Sequence, residues 1–157
     1  MVATQRNCDD YPVEQFYRDA RIHPIHEGTT GIHGMDLLGR KVLMQNGKAF
    51  QLYLAEVRAA VEESGKFPRL EPYARELSEG LDKLVRVTTH LVGISQHKGP
   101  EHFLADATLY LELFGIISIA WQWLLQAIAV QKALEKKLPT GEQNFYQGKF
   151  YAFRYFF

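Results

Sequence analysis

The stretch LYLELFGIISIAWQWLLQAIAVQKAL, residues 109–134, decides how the rest of the sequence is read. Glu112, Ser118, Gln122 and Gln126 interrupt it, and the last three recur at i, i+4 and i+8. One polar stripe on an otherwise apolar helix suits the middle of a helical bundle or an oligomer interface better than lipid. The remaining apolar face is too wide for a single packing partner. The reading is therefore a buried helix, and no integral membrane segment is expected.

Working outward, the flanking segments also repeat at helical period. Residues 70–99 read as one helix, with Leu77, Leu81, Leu84, Thr88, Leu91 and Ile94 stepping by three or four and Gly99-Pro100 ending it. A helix over 101–137 stops at Pro139 and Gly141, and another starts near Glu142 and continues through FYAFRYFF. Upstream, YPVEQFYRDARI reads as a short helix with Asp10 as N-cap and Pro12 in its first turn, ending before Pro24. From Gly31 the pattern resumes, with Ile32, Met35, Leu38 and Val42 on one face. Asn46-Gly47, inside QNGK, is a turn signal that bends or breaks this pattern. Helix then continues until Gly65 and Pro68 close it. No alternating stretch bounded by hairpin turns reads as a strand. The expected fold is all-α, an antiparallel helical bundle with short connections.

The chain has 157 residues, 46% hydrophobic and 23% charged, enough to bury a core. Lys+Arg and Asp+Glu both number 18, so there is no electrostatic reason to expect nucleic acid as a partner. Cys8 is the single cysteine, which rules out an intrachain disulfide and is compatible with a reducing compartment. MVATQRNCDDYP has no apolar core flanked by charge and does not read as a secretory signal, so the expected location is cytoplasmic.

Chemistry concentrates in RIHPIHEGTTGIHG, residues 21–34. His23, His26 and His33 surround Glu27, yet there is no HExxH and Pro24 keeps His23 and His26 off a shared helical face, so no metal site is expected. EGTTGIHG places glycines and hydroxyls before a helix start, where amides could face an anion. Its spacing matches neither the P-loop nor the dinucleotide fingerprint, and Thr30 as a plain N-cap accounts for the same residues. A carboxylate such as Glu27 in a turn is ordinarily solvated. Walled by apolar surface, it could act as a general base on a weakly acidic proton.

The words around Glu27 add a resemblance. YPVEQFYRDARIHPIHEGTTGIHGMDLLGRKV closely resembles the end of the C-terminal catalytic domain of FAD-dependent acyl-CoA dehydrogenases. The matching words are Tyr17, Arg18, Asp19 and Ala20, then Glu27, Gly28 and Thr29, then Leu37, Leu38, Gly39, Arg40 and Lys41. Residues 42–157 resemble more loosely the additional helical region of a longer subgroup, which includes enzymes for medium-chain, long-chain and methylthio-substituted acyl-CoA thioesters. The resemblance divides the chain into 1–46, the end of the catalytic helical domain, and 47–157, the additional helical domain.

The resemblance implies that Glu27 is the base that removes the proton beside the thioester carbonyl, with hydride passing to FAD, as in fatty acid β-oxidation. It implies that Gly28 lets the loop approach the acyl-CoA substrate, and that Thr29, Thr30, Gly31 and Ile32 touch FAD. It further implies an electron-transfer acceptor and a homo-oligomer. The family's upstream glycine-rich segment and β-rich domain do not precede Tyr11 here. The expectation is thus a fragment that neither oxidises acyl-CoA alone nor retains FAD tightly. The alternative is a non-catalytic helical interaction or oligomerisation module.

Overall fold

The computed structural model describes residues 13–23, 25 and 29–157. Among them the chain is helical, with no strand. We label the helices α1 (Val13–Ala20), α2 (Thr30–Asp36), α3 (Met44–Ser64), α4 (Glu71–Lys98), α5 (Pro100–Leu104), α6 (Ala107–Leu134) and α7 (Thr140–Phe156). A π turn, Leu37–Lys41, follows α2, and a 3-10 turn, Pro68–Leu70, precedes α4.

The apolar stretch quoted above forms α6, and α2, the π turn, α3, α4 and α7 all pack against it. Nine of its residues are buried, from Ala107 and Tyr110 to Val130 and Gln131, which is why the helix needs several neighbours. It is also long and apolar enough to cross a membrane by length and composition. In this fold part of that apolar surface is divided among helices, while Leu109, Ile116 and Ile119 stay exposed on the outward face. On α4 the buried positions are Ala74, Leu77, Leu81, Leu84, Thr88 and Leu91; the last five belong to the stepped face expected from the sequence, whose final member, Ile94, is half-buried. Burying each such leucine is worth about 1.5–3 kcal/mol before the cost of ordering it.

Aromatic rings fix three of the crossings. Between α3 and α6, Tyr53 stacks on Phe114 with ring centroids 4.6 Å apart and meets Trp121 edge-on at 5.8 Å. On α7, Phe153 is fully buried and meets Tyr73 of α4 edge-on at 4.7 Å, while Phe156 stacks on Trp123 of α6 at 6.0 Å. The Arg69 guanidinium lies 4.3 Å from the centre of the Phe150 ring, a cation–π contact that ties the 3-10 turn to α7. By contrast the Glu63–Lys132 ion pair between α3 and α6 is exposed and contributes little.

Two expectations need correction. The helix expected over 101–137 is broken at Ala105 and Asp106 into α5 and α6. Asp106, with φ −103° and ψ 22°, leaves the helical region, and the bend lets Phe103 and Ala107 both reach the core. The face expected from Ile32, Met35, Leu38 and Val42 is also split. Leu38 and Val42 are buried, whereas Ile32 and Met35 are 61% and 45% exposed. The π turn causes this: the Val42 amide donates to the Leu37 carbonyl five residues back, adding a residue to the turn and rotating the helical face.

The turn expected at QNGK is present. Gln45, Asn46 and Gly47 have φ of 52°, 57° and 79°, three successive left-handed residues that bend the chain before the regular part of α3. Leu38 and Val42 before the bend share one core with Phe50, Leu54 and Val57 after it. For Gln45 the left-handed conformation costs about 1–2 kcal/mol, whereas Gly47 adopts it freely. Gln45→Gly should therefore raise the melting temperature by roughly 2–4 °C and Gly47→Ala lower it by a similar amount. Equal shifts of the same sign in a thermal melt would contradict this account.

Candidate functional site

Glu27 and Gly28, the expected base and its glycine, lie outside the described residues, as do Pro24 and His26. The other four expected site residues, Thr29, Thr30, Gly31 and Ile32, are described, and all are exposed. Helix α2 starts one residue earlier than expected. Thr30 is its first helical residue and Thr29 takes the cap position, with φ −108° and ψ 2°. The Thr29 hydroxyl makes no capping bond, although its carbonyl accepts the His33 amide at 2.8 Å. The plain-cap reading of Thr30 is thus corrected.

What holds this strip in place is Gly34. It is buried, and a Cβ built there would lie 2.6 Å from the Ala107 carbonyl oxygen and 3.1 Å from the Thr108 amide nitrogen. Only a residue without a side chain lets α2 approach the first turn of α6 this closely. Gly31, one turn earlier, has nothing within 4 Å of a built Cβ. The strip therefore has a fixed inner edge and an open outer one. Two threonines, an unobstructed backbone at Gly31 and the apolar Ile32 side chain suit contact along one edge of a flat cofactor. They do not form an enclosing pocket.

Electrostatics beside the strip are local. Arg40 pairs with Asp36 one turn away, and its second nitrogen donates to Asp36 Oδ2 at 2.9 Å. That hydrogen bond, together with the charges of Arg40, Lys41 and His33, holds the Asp36 carboxyl below the usual carboxylate range. Among the described residues no three His, Cys, Asp or Glu side chains gather as a group that could hold a metal.

Next to the bend, Leu37, Lys41, Val42, Ala49, Phe50, Tyr53 and Phe114 line a recess of about 110 Å³. Tyr53 Oη lies 3.0 Å from Ser118 Oγ, which itself donates to the Phe114 carbonyl at 2.8 Å. Deeper, Thr88 donates to the Leu84 carbonyl at 2.8 Å and lies 2.8 Å from Tyr110 Oη. Neither pairing, nor the role of Gly34, is expected from spacing. A hydroxyl residue at a core position of a stepped face, as Thr88 is, does signal that a partner is required.

Burial raises the pKa of both Tyr53 and Tyr110, disfavouring the phenolate, with the hydrogen bonds to Ser118 and Thr88 opposing the shift. The unfolded phenols ionise first, so their contribution is intact below about pH 10 and is lost as pH rises through the higher folded values. Tyr110→Phe should flatten the alkaline fall of stability in urea titrations at successive pH values. An unchanged slope would assign that fall to other groups. Separately, Gly34→Ala should cost about 1–3 kcal/mol by overpacking, while Gly31→Ala leaves stability equal or slightly raised. Denaturant melts compare the two directly.

A protein-family model described as acetyl-CoA dehydrogenase C-terminal like matches residues 53–157. The chain is similar to 3-methylmercaptopropionyl-CoA dehydrogenase of Ruegeria pomeroyi, 37% identical over 141 residues that cover 87% of this chain and 23% of that protein. It is also similar to broad-specificity linear acyl-CoA dehydrogenase FadE5 of Mycobacterium tuberculosis, 28% identical over 145 residues covering 89% and 24% respectively. The chain thus spans about a quarter of the length of the curated relatives it matches. No solved structure matches it.

Proposed function

The chain belongs to the acyl-CoA dehydrogenase family, and we propose that it supplies that family's proton-abstracting base and one edge of its flavin site. The observation that carries this reading is the likeness to two acyl-CoA dehydrogenases across nearly the whole chain. The words around Glu27 and the docking of α2 on α6 through Gly34 support it.

In this reading Glu27 takes the proton from the carbon beside the thioester carbonyl of an acyl-CoA. A carboxylate does this best where apolar walls raise its basicity. Gly28 leaves room for the thioester, since a side chain there would intrude. Thr29 and Thr30 offer hydroxyls, Gly31 an open backbone and Ile32 an apolar contact along one edge of FAD. When bound, FAD supplies the acceptor for the hydride leaving the β-carbon. The product is a trans-2-enoyl-CoA, the electrons pass on to an electron-transfer acceptor, and the location is the cytoplasm. Residues 1–46 would belong to the catalytic helical domain and 47–157 to the additional helical domain. The bend at Gln45–Gly47 and a family match that begins at residue 53 support that division.

These 157 residues alone are proposed to be inactive, because the chain spans about a quarter of the relatives it matches and the described strip, Thr29–Ile32, is exposed. The purified chain should show no flavin absorbance and should not reduce an artificial electron acceptor with an acyl-CoA; either activity would overturn this part. For the base, α-carbon proton exchange in the presence of acyl-CoA and flavin is the direct measure. Glu27→Gln should reduce any such exchange by about 10²–10⁴-fold, the usual contribution of a positioned base. Exchange that survives the substitution would assign the base elsewhere.

One observation favours a second reading, a helical module that associates without chemistry. Leu109, Ile116 and Ile119 on the outward face of α6 are 62%, 61% and 52% exposed. Beside them Ser118, Ile119, Gln122, Trp123 and Gln126 line a recess of about 270 Å³. Contiguous apolar surface of this kind marks a contact site. A homo-oligomer fits both readings, and Ile116→Glu should weaken it in sedimentation. Self-association with no exchange chemistry under any flavin condition would favour the second.

A further inference from the structure

We propose that Asn46 is a modification site, where the Gly47 backbone nitrogen attacks the side-chain amide and converts the bend before α3 into an aspartyl or isoaspartyl linkage. Asn46 is exposed, and Gly47 has no side chain to obstruct the approach of its own nitrogen. Gln45 and Asn46 are both held at positive φ, 52° and 57°. Local opening releases that strain, so the conformers in which the Gly47 nitrogen reaches the Asn46 side chain are cheaply visited. Opening gives up the hydrogen bond from the Gly47 amide to the Leu43 carbonyl, which at 3.2 Å is a long one. Asn144, by contrast, precedes the bulky Phe145 and sits within α7.

The step balances without an oxidant. The Gly47 nitrogen loses its proton to hydroxide and bonds to Asn46 Cγ, and the side-chain nitrogen leaves as ammonia, giving a five-membered succinimide. Water then opens the ring at either carbonyl. One water is consumed and one ammonia released, leaving a new carboxylate two residues from Lys48. The isoaspartyl product also carries an extra methylene in the backbone. Through three successive left-handed residues the bend joins two buried residues, Val42 before it and Phe50 after it. A longer backbone there displaces one of them from the shared core.

The test incubates the full chain in mildly alkaline buffer at physiological temperature and follows the tryptic peptide 42–48 by mass spectrometry, beside a synthetic peptide of the same sequence. The peptide from the chain should gain about one dalton and split chromatographically into two products, one of them a substrate for a protein isoaspartyl methyltransferase. Its rate should lie within about tenfold of the free peptide, as a cheaply opened bend requires. The peptide carrying Asn144 should stay unchanged over that time, and Asn46→Gln should abolish the gain. A rate more than about tenfold below the free peptide would overturn the proposal, because the bend would then protect the site. So would equal conversion at Asn144, or a mass gain that persists in Asn46→Gln.

Discussion

Packing the inner apolar faces of α6, with Leu109, Ile116 and Ile119 left on its outward face, is the constraint on which the rest of the bundle depends. A helix whose apolar surface runs almost all the way round is tolerated in water only if several neighbours share it. Here α2 covers its first turn, α3 and α4 its middle, and α7 its second half. Each neighbour meets it with a different chemistry. Gly34 allows close backbone approach, Tyr53 stacks on Phe114, Ile117 lies over Gly80 and Phe156 stacks on Trp123. Removing any one neighbour would return part of that surface to solvent.

The parts of the fold legible in the sequence are those with strong local signals. The stepped face of α4 is written in leucines, and its end is written in Gly99, whose φ of 83° favours glycine. The bend at Gln45–Gly47 is announced by Asn-Gly. What was not legible depends on tertiary contact. The break at Ala105 and Asp106 carries neither proline nor glycine and exists because Phe103 and Ala107 both bury. The π turn that separates Ile32 and Met35 from Leu38 and Val42 has no sequence signature of its own.

The candidate site divides the same way. Its chemistry is legible as words, Glu27-Gly28-Thr29 and the helix after them, because carboxylate, glycine and hydroxyl types are visible in any sequence. Its support is not. Gly34 looks like any helical glycine until the Ala107 carbonyl is seen against it, and Thr88 looks like an interruption until Tyr110 is found beside it. The alternation of a polar strip above and a tightly packed seam below lets Thr29–Ile32 stay open without loosening the bundle.

A helix of 28 residues is about 42 Å long and stiff along that length. One helix, α6, therefore runs from the Gly34 contact at its first turn to the aromatic contacts it makes with α7. Sixteen residue steps of α6 separate Ala107, under the strip at Thr29–Ile32, from Trp123, so the strip and the Trp123–Phe156 pair are held roughly 24 Å apart along the helix axis.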